Sequence, residues 1–392
     1  MKHGWDYKKL GELVQVLNGY AFKSSLYENQ GIRVLRITNV QKGNIVDDDP
    51  KYYPLSLTDE IRNYLLKESD LLMSLTGNVG RVGLLTKEML PAALNQRVAC
   101  LRILSNGLNL GFLFHYLNSD KFEQDAVLSA KGIAQKNMST EWLKDYKLPL
   151  PPISVQQLIV SELDKINELI RLKKEQLKDY ENLAQSIFYE MFGDPVVNEK
   201  GWEVKKLIET VVLECTISYG IVQPGDGVED GIPVVRPIDL TGTFVSTNNL
   251  KKTTEKISSS YSRTILTGKE LLVCVRGTTG VCSLVTDELK GCNVTRGITP
   301  LLFNDNTDRW FMYYQFQMPQ IKCIIADYTK GITLKQINMA DFRKIPVILP
   351  PLPLQQLFAQ RIELIEKQKA EVQRTIKDLE TLLASRMQYW FD

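Results

Sequence analysis

The sequence predicts two α/β (α+β) modules in tandem, separated by two long α-helices that form an antiparallel coiled coil, with approximate two-fold symmetry between the halves. Three features carry this prediction: an internal repeat, a pair of β-rich stretches that each run into a glycine turn, and two uninterrupted heptad seams.

The repeat is read from short identities. Lys131-Gly132-Ile133 returns as Lys330-Gly331-Ile332, Leu150-Pro151-Pro152-Ile153 as Leu349-Pro350-Pro351-Leu352, and Gln156-Gln157-Leu158 as Gln355-Gln356-Leu357, all 199 positions apart. Gly4-Trp5 and Lys8-Lys9-Leu10 match Gly201-Trp202 and Lys205-Lys206-Leu207 at an offset of 197. Two similar units in one chain suit a two-fold partner, of which duplex DNA is the commonest.

The 392 residues are 44% hydrophobic and 24% charged, enough for two or three domains with their own cores. A net charge of +2 confines any basic surface to a local patch. Met1-Lys2-His3-Gly4-Trp5-Asp6 does not lead into a signal peptide, and no run of about 18 apolar residues could span a membrane, so a cytoplasmic protein with no membrane partner is expected. Six cysteines without close pairs, beside only His3 and His115, argue against a zinc site and for reduced thiols.

The fronts of the two units read as modules over 1–150 and 201–349. Strands are predicted at Ile32–Ile37, Ile232–Arg236, Asp70–Leu75 and Glu270–Val275. The last two run into the turns Gly77-Asn78-Val79-Gly80 and Gly277-Thr278-Thr279-Gly280. Short helices are expected at 111–119 and 309–317.

The backs, 151–192 and 350–392, are helical, and 193–200 is a linker. Between Ser154 and Met191 there is neither Gly nor Pro. Ile159, Leu163, Ile166, Ile170, Leu177, Tyr180, Ala184, Ile187 and Met191 alternate in steps of four and three, with Lys173 in the remaining slot. The second seam holds Phe358, Ile362, Ile365, Val372, Ile376, Leu379, Leu383 and Trp390, interrupted by Lys369 and Arg386. Ser154 and Gln157 make a capping box; Pro353 fits a first turn; Gly193-Asp194-Pro195 ends the first helix. At 1.5 Å per residue each helix is about 57 Å long. Burying each seam side chain is worth roughly 1.5–3 kcal/mol, so the seams should pair, either with one another or against a module or another subunit.

Catalytic signals are missing. There is no Asn-Pro-Pro-aromatic or Asp-Pro-Pro-aromatic stretch and no phosphate loop, and Gly77-x2-Gly80-x2-Gly83 has the wrong spacing for a dinucleotide fingerprint. Glu288-Leu289-Lys290 lacks a positioned second carboxylate for a nuclease. No catalytic and no metal-ligating residue is assigned.

Base-reading side chains are abundant near the predicted turns. The first module offers Arg36, Asn39, Asn78, Arg81, Gln96, Arg97, Gln135, Lys136 and Asn137. The second offers Arg236, Arg276, Thr278, Thr279, Arg296, Thr333, Lys335 and Gln336. Arg reads guanine bidentately and Asn or Gln reads adenine, whereas Lys and Thr more often hold phosphates. Taken singly, each is better explained as a solvated surface group. Positions shared by the repeats (Arg36/Arg236, Arg97/Arg296, Lys136/Lys335) suit scaffold or phosphate contact; divergent ones (Asn78/Thr278, Arg81/Val281, Asn137/Gln336) suit the code.

The order of features, namely Gly-Trp, variable module, glycine turn, Lys-Gly-Ile, Leu-Pro-Pro with Gln-Gln, long helix, then all of it again, resembles the specificity subunit of type I restriction–modification systems over essentially the whole chain. That family often has Glu-Gln where this chain has Gln156-Gln157 and Gln355-Gln356. The resemblance implies that the modules are target recognition domains, each reading half of a bipartite, asymmetric site in double-stranded DNA. It implies that the paired helices set the spacer and dock two DNA methyltransferase subunits, with restriction (translocase and nuclease) subunits joining. It further implies a subunit with no chemistry of its own, S-adenosylmethionine, ATP and Mg²⁺ residing on partners. The competing reading is a coiled-coil scaffold whose heads bind protein or glycan.

Overall fold

The computed structural model describes residues 5–130, 136–331 and 335–392. The chain forms two compact units: Met1–Lys174 with Arg374–Asp392, and Glu175–Gln373.

The central strand of each unit explains the layering. In unit 1, Leu71–Ser74 is buried on both faces and pairs antiparallel with Val98–Ile103 and Val82–Leu84. Alternate side chains point to opposite faces of a strand. Leu71 and Met73 therefore enter a core built with the helix Leu110–Leu117, whereas Leu72 enters a second core with Leu35, Val40 and Leu94. In unit 2, Leu271–Cys274 pairs with Cys282–Leu284 and Ile298–Leu301. Leu271 and Val273 face the helix Arg309–Gln317 side, and Leu272 and Cys274 face the other core. A second small sheet recurs in both units: Ile32–Leu35 lies parallel to Ala92–Leu94, and Ile232–Val235 lies parallel to Asn293–Val294. The ends of each module are tied by Asp6–Lys9 with Lys147–Leu150, and by Glu203–Lys206 with Pro346–Leu349.

The strands at 32 and 232 stop before the predicted Ile37 and Arg236 for a local reason. Asn39 Oδ1 accepts from Arg36 N at 2.9 Å, and Asp239 Oδ2 accepts from Arg236 N at 2.8 Å. Each side chain pulls the backbone into a turn and out of the ladder.

Both long helices are unbroken, Ile153–Phe192 and Leu352–Phe391, 40 residues each. The first begins at Ile153, so Ser154 lies inside it and the expected Ser154–Gln157 capping box does not form its start. Instead the Pro152 carbonyl accepts from Val155 N and Gln156 N at 2.9 and 3.1 Å. Pro353 sits in the first turn of the second helix. Gly193, at φ +74°, ends the first, and Trp202 Nε1 donates to the Phe192 carbonyl at 2.8 Å.

Within unit 1 the helix segments run antiparallel. Lys174 pairs with Glu380 at 2.9 Å, while Glu162, twelve residues earlier, binds Arg386 and accepts from Trp390 Nε1 at 2.9 Å. Ile159, Leu163, Ile166 and Ile170 are buried, and Leu379 and Leu383 are half-buried. Arg386, an interruption of the seam, is thus an ion-pair donor that also lies 4.4 Å from the Tyr389 ring centre. Ile376, also of unit 1, is buried; in unit 2, Phe358, Ile362, Ile365 and Val372 are buried and Leu177 is half-buried. Lys369, the other interruption, is nearly buried and neutralised by Glu366 at 2.9 Å.

One stretch of the seam departs from its predicted pattern. Ile187 and Met191 are only half-buried, whereas Phe188 and Phe192 are fully buried. The reason is a change of partner: Phe192 packs on Phe311 (centroids 4.8 Å) and on Phe358 (5.3 Å), so the helix end turns its face toward the module. At the end of the second helix Phe391 does the same against Phe112 and Tyr116, at 5.9 and 5.5 Å.

A buried glutamine locks each module to the base of its helix. Gln156 Oε1 accepts from Asn109 N (2.8 Å) and its Nε2 donates to the Gly107 and Pro151 carbonyls (2.9 and 2.8 Å). Gln355 repeats this with Asp308 N (2.9 Å) and the Asn306 and Pro350 carbonyls (3.2 and 2.7 Å). Asn109 and Asp308 are in turn the N-caps of the module helices. Replacing Gln156 by Leu keeps its bulk and strands one buried amide and two carbonyls. Chemical denaturation of Gln156→Leu should show a loss of at least about 1–3 kcal/mol, the cost of a buried group left without a partner.

Candidate nucleic-acid interface

Three separate segments meet at the glycine turn of each module. In unit 1, Leu75 N donates to the Arg97 carbonyl at 3.0 Å, Gly77 N donates to the Lys136 carbonyl at 2.9 Å, and Met138 N donates to the Leu75 carbonyl at 2.9 Å. In unit 2, Val275 N donates to the Gly297 carbonyl at 2.8 Å, Gly277 N to the Lys335 carbonyl at 2.8 Å, and Ile337 N to the Val275 carbonyl at 3.0 Å. Residues 97, 78 and 136–137, distant in sequence, are thereby stitched side by side, as are 297, 278 and 335–336. The bonds set Arg97 opposite Gly297 and Gln96 opposite Arg296, so the expected Arg97/Arg296 equivalence does not hold, because the repeat offset is 200 in these strands and returns to 199 only after them. Gly77 and Gly80 hold φ near +76° and +81°, a region that costs an L side chain strain. A Cβ at Gly80 would also come within 2.8 Å of the Ala126 methyl.

Exposure sorts the candidates. Asn78, Gln96, Arg97, Lys136 and Asn137 are exposed in unit 1, and Thr278, Arg296 and Lys335 in unit 2. Arg276, Thr279 and Gln336 are half-buried. Asn137 Oδ1 accepts from Thr76 Oγ1 at 3.1 Å, and Gln336 Nε2 donates to Tyr219 Oη at 3.0 Å. Thr279 Oγ1 accepts from Thr329 Oγ1 at 3.1 Å. Gln135 and Thr333 lie outside the described residues, as do Gly4, Lys131-Gly132-Ile133 and Ile332.

Arg36, Asn39 and Arg236 have other work. Asn39 is 3% exposed, and its Nδ2 donates to the Val46 carbonyl at 2.9 Å while its Oδ1 holds Arg36 N. Arg36 Nη2 donates to Asp49 at 3.2 Å and to that residue's carbonyl at 2.6 Å. Arg236 donates to Asp239 from Nε at 3.0 Å and from Nη2 at 2.8 Å. These residues build the turn beside the glycine loop.

Sequence reasoning missed Thr38 and Gln41. With Ile37, Thr76, Gly77, Asn78 and Arg81 they line a cavity of about 300 Å³. Arg81 Nη1 donates to Gln41 Oε1 at 2.6 Å, and Gln41 Nε2 donates to the Thr38 carbonyl at 2.9 Å. Neither residue belongs to a repeat identity or a turn signal, and only the fold brings them to the loop. Tyr219 was missed for the same reason.

The groups with catalytic reputations are committed elsewhere. His115 is buried, its Nε2 lies 2.7 Å from Asp164 Oδ1, and burial holds its pKa below the ordinary 6.5. Burial pushes the Cys282 thiol up to about 12, and all six cysteines are free. Among the described residues no His, Cys, Asp and Glu group is arranged to hold a metal ion, and no helix is long and apolar enough to cross a membrane.

A family model described as the type I restriction modification DNA specificity domain matches residues 2–181 and again 200–381. The chain belongs to that family. It is 24% identical over 385 residues to the type I restriction enzyme EcoBI specificity subunit of Escherichia coli, spanning 92% of this chain and 78% of that one. It is 23% identical over 395 residues to the MjaIX specificity subunit of Methanocaldococcus jannaschii, spanning 93% and 87%. The structure of a type I restriction–modification S subunit from M. genitalium is similar in fold, with a TM-score of 0.57 at 14% identity, covering all of this chain and 98% of that one. A second type I restriction–modification structure aligns at 0.56 with 19% identity. Membership gives the chain a DNA-sequence-specificity role and tandem specificity domains.

The geometry separates scaffold from presented side chains, and denaturation measures that separation. Asn39→Ala should lose about 1–3 kcal/mol of folding free energy by orphaning its buried partners, whereas Asn78→Ala and Arg97→Ala should stay within about 0.5 kcal/mol of the parent.

Proposed function

We propose that this chain reads a bipartite, asymmetric site in double-stranded DNA, each module taking one half, and brings two DNA methyltransferase subunits and the restriction subunits to it. The observation that carries the reading is the duplicated three-segment loop. One backbone frame presents Asn78, Gln96, Lys136 and Asn137 in the first module and Thr278, Arg296, Lys335 and Gln336 in the second. Identical backbone with different tips is what two readers of different half-sites require. The shared cation Lys136/Lys335, with Arg97 and Arg296 each at its own place in its module, suits phosphates, which fix register without carrying sequence. Asn78, Arg81 and Asn137, with Arg276, Thr278, Thr279 and Gln336, suit base edges in the major groove.

On this reading the chain carries out no chemistry. S-adenosylmethionine, ATP and Mg²⁺ belong to the partner subunits, the site of action is the cytoplasm, and extrusion of the target base falls to the methyltransferase. A scaffold with protein- or glycan-binding heads would instead associate without sequence enrichment and with little response to salt.

Binding of the full chain with its methyltransferase subunits to a random duplex library, across a salt series, tests this. Lys136→Ala and Lys335→Ala should each flatten the log–log salt slope by about 1 while leaving the enriched sequence unchanged. Asn78→Ala should relax one position of one half-site, weakening the preferred base there by about 1–3 kcal/mol. A salt-insensitive association without enrichment would favour the scaffold.

A further inference from the structure

The two modules carry opposite chemistry at one matching set of positions beside the glycine turn. In the first module the rim of the cavity is polar: Thr38, Gln41, Asn78 and Arg81. In the second, the corresponding places hold Ile238, Thr241, Thr278 and Val281. The frames share the two bonds that close these turns. Asn39 N and Asp239 N donate to the Arg36 and Arg236 carbonyls, both at 2.9 Å. Gly80 N and Gly280 N donate to the Ser74 and Cys274 carbonyls, at 2.9 and 2.8 Å. Each exchange removes hydrogen-bonding capacity and leaves methyl groups.

Two of the replacements are apolar side chains left in water. Ile238 is 69% exposed and Val281 39% exposed. Ile238 stands on the turn clamped by Arg236 and Asp239, which fixes its place. Its neighbour Pro237 lies against Gly297, next to Arg296: a Cβ built at Gly297 would come within 2.8 Å of Pro237 Cγ and 3.6 Å of the Arg276 carbonyl. The exposed isoleucine therefore borders the same loop as the second module's presented arginine. The Thr278 hydroxyl lies 3.5 Å from Cys274 Sγ and is taken up within the turn.

Thymine is the base that offers an apolar group, its 5-methyl, in the major groove. We infer that the second module discriminates at this rim by contact of Ile238 and Val281 with thymine methyls, whereas the first module reads the equivalent base pairs by hydrogen bonds from Gln41, Asn78 and Arg81. The inference deepens the DNA-reading proposal and rests on it.

Uracil is thymine without that methyl, so it isolates the contact. The experiment uses the full chain with its methyltransferase subunits and the duplex enriched from a random library, with every thymine of one half-site replaced by uracil. Substitution in one half-site should weaken binding about fourfold per methyl contacted, from the value of a buried methylene-sized group, and substitution in the other should change nothing. The double variant Ile238→Ser, Val281→Ser, which carries no methyl at either surface position, should abolish the uracil effect and leave the response to the other half-site intact. Indifference of both half-sites to uracil, an enriched half-site pair in which neither half contains an A·T pair, or a uracil effect that survives in the double variant overturns the inference while DNA reading stands. Failure to enrich any sequence overturns DNA reading itself, and this inference with it.

Discussion

Neither compact unit has a complete core without a piece of both long helices. Unit 1 buries Ile159 and Leu163 from the first helix and Phe391 from the second. Unit 2 buries Ala184, Phe188 and Phe192 from the first and Phe358, Ile362 and Ile365 from the second. Truncating a buried phenylalanine costs about 3–5 kcal/mol, a large share of what holds a domain folded. Helix pairing and module folding are therefore one process in each unit. Gln156 and Gln355 extend that coupling into the modules, since each fixes the N-cap of a module helix from the base of a long one.

The modules divide labour between backbone and side chain. Buried, doubly engaged residues such as Asn39 and Asp239 hold the turns. The loop they support is joined by main-chain bonds, which do not depend on side-chain identity. Tips such as Asn78 and Thr278 can then vary without cost to the frame. A specificity protein needs that arrangement, because its recognised sequence can change only if its fold does not have to change with it.

Much of the fold was legible in the sequence because duplication and periodicity are collective signals. Heptads located both long helices, and short β-prone runs ahead of glycine turns located the strands at 71–74 and 271–274. The polar interruptions were legible as interruptions, but their partners were not: Glu162 meets Arg386 across 224 positions. The seam misassignment at 187–192 has the same origin, since a heptad says where a stripe runs and not when it leaves one partner for another. At the interface, residue type alone could not separate Asn39 from Asn78. The first is consumed by its own turn and the second is presented, and only burial and hydrogen bonding tell them apart. Gln41 and Tyr219 carried no local signal at all, because tertiary folding creates their proximity to the loop.

On the proposed function, the paired helices separate two independent readers. Inserting one heptad into each helix, at the boundary near Lys174 and at the facing boundary near Arg374, preserves the seam and lengthens the pair by about 10 Å. Sequencing the duplexes bound by this variant with its methyltransferase subunits is the most direct test. The account predicts the same two half-sites with a longer spacer between them. An unchanged spacer with full binding, or half-sites whose own sequences change, would contradict it.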